Sequence, residues 1–148
     1  MYKHILVSTD GSRLSRKAIA AAVGLAKSEA ARVTGVYVIP HYASMMYGEG
    51  VLYAPPDSGA AYRRSLKREG KKALAVLDVE ARIAGIASAG TVVSGATPWE
   101  GILRTANAKK CDLIVMASHG RSGLAGLVLG SETHKVLTHS KIPVLVCR

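Results

Sequence analysis

Five short runs rich in branched residues punctuate the chain: "HILVST" (4–9), "RVTGVYVI" (32–39), "TVVSG" (91–95), "DLIVMAS" (112–118) and "IPVLVC" (142–147). Most are apolar on successive residues instead of alternating with polar ones. A strand with that pattern is buried on both faces, which is what helices on either side of a parallel sheet produce. Longer amphipathic stretches separate the runs, so the chain reads as an α/β domain. At 148 residues it has the usual size of one domain and can bury roughly two thirds of its unfolded surface. No repeat or linker divides it, so a single domain over 1–148 is expected.

The stretches between the runs carry helix signals. Residues 12–30 follow "DGS" with Leu14, Ala18, Ala22, Leu25 and Ala26 on one stripe, and residues 61–84 form a basic amphipathic helix. In "TPWEGILRTANAKK" Thr97 fits an N-cap, Pro98 the first helical position and Glu100 the capping-box partner, with Trp99, Ile102, Leu103 and Ala106 facing inward. A last helix is expected from about Ser131 to His139. Residues 40–60 are too long and too rich in Gly and Pro for an ordinary connection. Tyr42, Met45, Met46, Tyr47 and Tyr53 there could cap a ligand or pack on another subunit, the alternative being partial disorder.

Several function classes are disfavoured. No apolar run approaches the roughly 18 residues a membrane helix needs, and "MYKHILVSTDGS" turns polar too early for a signal peptide. A soluble cytoplasmic protein without membrane contact is expected. Cys111 and Cys147 stand far apart without metal-ligand spacing. Twenty Lys and Arg against ten Asp and Glu give a formal charge of +10, which attracts anions in general. The densest basic stretch, "YRRSLKREGKK", has helical spacing, and no aromatic residues interleave it as stacking platforms would. It reads as a solvated helix face. Nonspecific attraction to nucleic acid stays open, and sequence-specific binding is not expected.

In an open parallel sheet, ligands bind beyond the carboxyl ends of the strands, where the strand order reverses. Two segments qualify. "STDGS" puts Asp10 at the end of the first strand, with Gly11 and Ser12 opening a helix; "ASHGRSGLAGLVLGSETHKVL" follows the fourth strand with four glycines in fourteen residues. There Gly120 lets the chain turn, Gly130 brings backbone close to an anion, and Ser131 adds an N–H and a hydroxyl at a helix N-terminus. Equally, the glycines could only make turns and Ser131 only cap the helix. Asp10 could accept hydrogen bonds from a ribose or base, or bond its own turn. His119 and His134 read as surface residues. A P-loop, a G-x-G-x-x-G, a G-x-S-x-G elbow, an HExxH and an acidic cluster for catalytic magnesium are all absent.

Together, "ILVSTDGS", the basic middle helix, "SGATPWEGIL", "CDLIVMASHGRSGL", "LGSETHKVL" and "PVLVCR" resemble the universal stress protein family along the whole chain. The resemblance implies a five-stranded parallel sheet of order 3-2-1-4-5, a homodimer, a role in stress survival and, in one branch, ATP binding without vigorous hydrolysis. That branch is marked by G-x-x-G, nine residues, then G-[ST]. Here Ala117 takes the place of the first glycine, while Gly120, Gly130 and Ser131 match. If the first position needs positive φ, the methyl costs about 1 kcal/mol. Glu132 puts a charge in the first helical turn that would repel a phosphate. Carried over, the pattern has Asp10 and the backbone of Val38 meeting adenosine, and Gly120, Gly130 and Ser131 holding phosphates. The implied ligand is ATP or a related adenine nucleotide, with or without magnesium, in a regulator or chaperone-like module that meets a protein client. The alternatives are a dimer without nucleotide, acting by protein contacts, and a slow ATPase or phosphotransferase using Asp10. The order 3-2-1-4-5 puts the last strand at an edge with an apolar run, Val144–Val146, so the dimer is expected through 143–147, strand against strand.

Overall fold

The computed structural model describes residues 1–40, 58–95, 97–120 and 129–148. The expectations for Tyr42, Met45, Met46, Tyr47 and Tyr53, and for 121–128, lie outside the described residues.

In chain order the elements are β1 (His4–Ser8), α1 (Arg13–Glu29), β2 (Arg32–Pro40), α2 (Ser58–Ala84), β3 (Ser88–Gly95), α3 (Pro98–Ala108), β4 (Leu113–Ala117), α4 (Ser131–His139) and β5 (Val144–Cys147). The strands form one sheet in the order β3-β2-β1-β4-β5, and every adjacent pair is parallel. The expected topology is therefore found. Alternation along the central strand divides the core into two layers. Ile5 and Val7 point into a cluster with Ile19, Ala22, Leu77 and Val115, while Leu6 points the opposite way, toward Ile102, Ala106, Ile114 and Val136. Helices α1 and α2 cover the first face and α3 and α4 the second. Each fully buried large side chain, such as Leu77 or Ile19, contributes roughly 2 kcal/mol of transfer free energy.

Local chemistry sets the boundaries. Helix α1 starts where the Ser12 hydroxyl accepts the Ser15 N–H at 3.1 Å and stops at Ala30, which is left-handed at φ 50°. Its buried stripe is Ala18, Ile19, Ala22, Val23 and Ala26, rotated from the expected one so that Leu14 and Leu25 are only half-buried. Strand β3 begins three residues before the branched run, because backbone pairing with β2 starts at Val33 opposite Ser88 and needs no apolar side chain there. The cations Arg63, Arg64, Lys67, Arg68, Lys71 and Lys72 of α2 are all exposed. Among the described residues, no helix is long and apolar enough to cross a membrane.

Helix α3 departs from the capping box. Thr97 is its N-cap, with Pro98 following, yet the Thr97 side chain makes no cap hydrogen bond. Its hydroxyl donates to Glu100 Oε2 at 2.8 Å, and the Trp99 N–H is taken instead by Glu132 Oε2 of α4, also at 2.8 Å. On β5, Val144 and Val146 pack against the second cluster, while Leu145 is 41% exposed. Leu145 is thus the side chain this edge strand presents outward.

Candidate functional site

The sheet order reverses between β1 and β4, and there a crevice of about 620 Å³ opens at the carboxyl ends of the strands. Its walls come from distant parts of the chain: Ser8, Thr9 and Asp10 after β1, Val36 and Val38 on β2, Met116 and Ala117 on β4, and the 130–133 turn of α4. Tyr62 and Leu66 of α2 and Pro98 and Ile102 of α3 close the sides. The six residues singled out from the sequence, Asp10, Val38, Ala117, Gly120, Gly130 and Ser131, all line this crevice. His119 lines it too, half-buried, whereas His134 is exposed on α4.

Asp10 sits in a built turn. Its Oδ1 accepts the Ser12 N–H at 2.9 Å, the Gly11 N–H donates to Thr9 Oγ1 at 3.1 Å, and Gly11 has φ 79°. The Thr9 and Ser15 hydroxyls are 3.0 Å apart and buried. One oxygen of Asp10 therefore bonds its own turn, and the other, Oδ2, faces Gly120. A Cβ added at Gly120 would lie 2.8 Å from it. Gly120 does not have the left-handed φ that a turning glycine would need; it is small so that the 118–120 backbone can approach Asp10.

Gly130 likewise acts by close approach. It has φ −60°, and a Cβ there would fall 3.1 Å from His119 Cα and 3.3 Å from the Ser118 carbonyl oxygen. Its N–H donates to that same oxygen at 2.8 Å. The Gly130 amide thus closes the segment onto Ser118, and the absence of a side chain is what lets the two stretches of backbone approach. The amides that face outward at the helix start belong to Ser131, Glu132 and Thr133, since the first helical bond is His134 N–H to the Gly130 carbonyl, 2.9 Å.

Ala117 ends β4 as an ordinary strand residue opposite Cys147, without positive φ. Backbone strain at this position is therefore not incurred. Its carbonyl accepts the Thr133 hydroxyl at 3.0 Å, a buried bond that ties α4 to β4. The Ser118 N–H donates to the Cys147 carbonyl at 2.7 Å, so the crevice floor is joined to the edge strand. Thr133, Tyr62, Leu66 and Pro98 also line the crevice, and the sequence reading assigns none of them to the site. Thr133 follows Ser131 by two and lies on the inner side of the same turn, a spacing that offered a signal; nothing in the sequence places α2 beside the crevice.

The crevice is lined by apolar side chains, among them Val36, Val38, Leu66 and Ile102, and by polar ones, Asp10, Ser131, Glu132 and Thr133, a mixture that suits an amphipathic small molecule. Among the described residues, no group of three or more His, Cys, Asp or Glu could hold a metal ion.

Residues 1–148 match the model of the universal stress protein family. The universal stress protein YxiE of Bacillus subtilis is 36% identical over 152 residues, covering 100% of both chains. The structure of MJ0577, a universal stress protein of Methanocaldococcus jannaschii, superposes with a TM-score of 0.82 at 28% identity, covering 99% of this chain and 96% of that one. A universal stress protein in complex with cAMP has the same fold, with a TM-score of 0.66 at 24% identity, 99% of this chain and 97% of that one.

Proposed function

The chain belongs to the universal stress protein family, and from that premise we propose that it is a binding module whose crevice takes an adenine nucleotide. One observation carries the reading: Asp10, Val38, Ala117, Gly120, Gly130 and Ser131, residues from three strand ends and one helix start, converge on a single crevice at the reversal point of the sheet. A related protein of the same fold is found with cAMP, an adenine nucleotide of the size this crevice accommodates. The base and ribose lie along Val38 and the other apolar side chains, with Asp10 at the ribose; the phosphate end meets Ser131 and the first amides of α4. Catalysis and a protein-held magnesium ion are not part of the proposal.

In this reading the protein assembles as a homodimer through β5, whose exposed Leu145 faces the second copy, and acts on a protein client as a nucleotide-dependent stress regulator. Purified protein is denatured, the released small molecules are separated by chromatography, and the refolded protein is titrated calorimetrically with AMP, ADP and ATP. Binding is expected for the parent, with Ser131→Ala about fivefold weaker for one lost hydrogen bond. No adenine ligand released and none bound at millimolar concentration would overturn the reading.

A further inference from the structure

Glu132 is the residue of the crevice whose chemistry least suits a phosphate. It stands in the first turn of α4, half-buried, and lines the crevice beside Ser131. Its carboxylate is fastened at both oxygens: Oε2 accepts the Trp99 N–H at 2.8 Å, and Oε1 meets Lys135 Nζ at 3.2 Å. The Trp99 ring in turn lies against His139, with ring centroids 4.6 Å apart. Glu132 is thus the cap that α3 lacks on its own chain segment, since Thr97 spends its hydroxyl on Glu100. A carboxylate held in this way does not swing out to make room for an anion.

A helix N-terminus carries about half a positive charge, so one full negative charge in its first turn outweighs it. Lys135 offsets part of that charge, but it is 43% exposed and screened by solvent. We propose that Glu132 selects ligands by charge: the crevice prefers adenine ligands with a single phosphate group, monoester or diester, over di- and triphosphates. This inference rests on the reading that the crevice binds an adenine nucleotide, and it names the class of nucleotide. A carboxylate that only capped α3 would shift the affinity of every ligand alike.

The experiment titrates adenosine, AMP, ADP and ATP into the full-length parent and into Glu132→Gln, in low-salt buffer without magnesium. Glutamine keeps an acceptor for the Trp99 N–H and removes the charge, and Trp99, the single tryptophan, reports binding and folding by fluorescence. The parent is expected to favour AMP over ATP by about tenfold or more, roughly fivefold per added charge in partly hydrated surroundings. Glu132→Gln should tighten ATP most, ADP less and AMP least, so that the preference for AMP over ATP falls by about tenfold or more, and should leave adenosine unchanged. The parent alone supplies a second measurement: its preference for AMP should shrink as salt rises from low to molar concentration. Equal shifts for all ligands, or a parent that binds ATP at least as tightly as AMP at low salt, overturn the charge selection while leaving nucleotide binding intact. No binding of any of the four by the parent overturns both.

Discussion

Replacing Gly120 by alanine forces a collision with Asp10. The new Cβ would stand 2.8 Å from Asp10 Oδ2, about 0.6 Å inside ordinary contact, and the atom it meets is a carboxylate oxygen whose partner oxygen is already bonded to the Ser12 N–H at 2.9 Å. Relief requires moving either the 118–120 backbone or the carboxylate. The first strains the segment that Gly130 closes onto Ser118; the second loosens a charge-assisted bond worth about 1.5–3 kcal/mol. Against this, alanine restricts the unfolded chain and returns roughly 0.5 kcal/mol. The net expected cost is about 1–2 kcal/mol, a fall in Tm of roughly 3–6 °C for a domain of this length. The decisive measurement is a double-mutant cycle by urea denaturation at fixed protein concentration. In the Asp10→Ala background the obstacle is gone, so Gly120→Ala should cost less than about 0.3 kcal/mol, leaving a coupling of at least about 1 kcal/mol. An identical cost in both backgrounds would show that the glycine serves something other than closeness to Asp10.

Three further outcomes follow from other parts of the molecule. His4 is buried with Nε2 2.8 Å from Thr34 Oγ1, and desolvation, helped by the Arg32 charge, holds its pKa below the ordinary 6.5. The unfolded chain therefore takes up the proton first, so stability is full above about pH 6.5 and falls as pH drops below it; urea midpoints at pH 7.5 and 5.5 should show this slope, and His4→Gln should flatten it. Leu145→Lys, at the outward position of β5, should convert a dimeric parent to a monomer in sedimentation while leaving Tm at low protein concentration within a few degrees, and a parent already monomeric at micromolar concentration would refute the edge pairing. Burial, reinforced by Asp112, pushes the Cys111 thiol up to about 11, so at pH 8 it should resist alkylation until the protein is unfolded, as mass spectrometry of timed samples would show.

The five strands and four helices could be read from the sequence because each carries its own local signal: branched runs, caps, and a 3.6-residue stripe. Their order in the sheet came from the resemblance and not from periodicity, which says nothing about which strand lies beside which. The errors are instructive. Strand β3 runs back to Ser88 through "SAG", whose pairing is a property of the backbone. At α1 the stripe was placed by composition, and the packing of Ile19 and Val23 turned it. In the crevice, the sequence marks Gly120 as a turn and Gly130 as a place of close backbone approach, but it does not name what either approaches: Gly120 a carboxylate 110 positions away, Gly130 the backbone of His119 and Ser118. The Glu132 carboxylate reaches an amide 33 residues earlier, a bond for which no local pattern exists.

The crevice joins the first fifteen residues of the chain to its last thirty-five or so. Strand β4 lies beside β1, at Ile5 opposite Leu113, and Asp112 takes the amides of Lys3 and His4 across separations of 109 and 108 residues. Such contacts close only after a long loop entropy has been offset by other structure. During synthesis, β1, α1 and β2 emerge and can pair while β4 and α4 are still unmade, leaving the far side of the central strand bare. A chain interrupted before residue 113 carries Asp10 and Val38 but neither Gly120 nor the start of α4, and although α3 is already made, Leu6 lacks its cover from Ile114 of β4 and Val136 of α4. The crevice is therefore a late product of folding, and its completion coincides with the covering of the edge most prone to pair with another nascent chain.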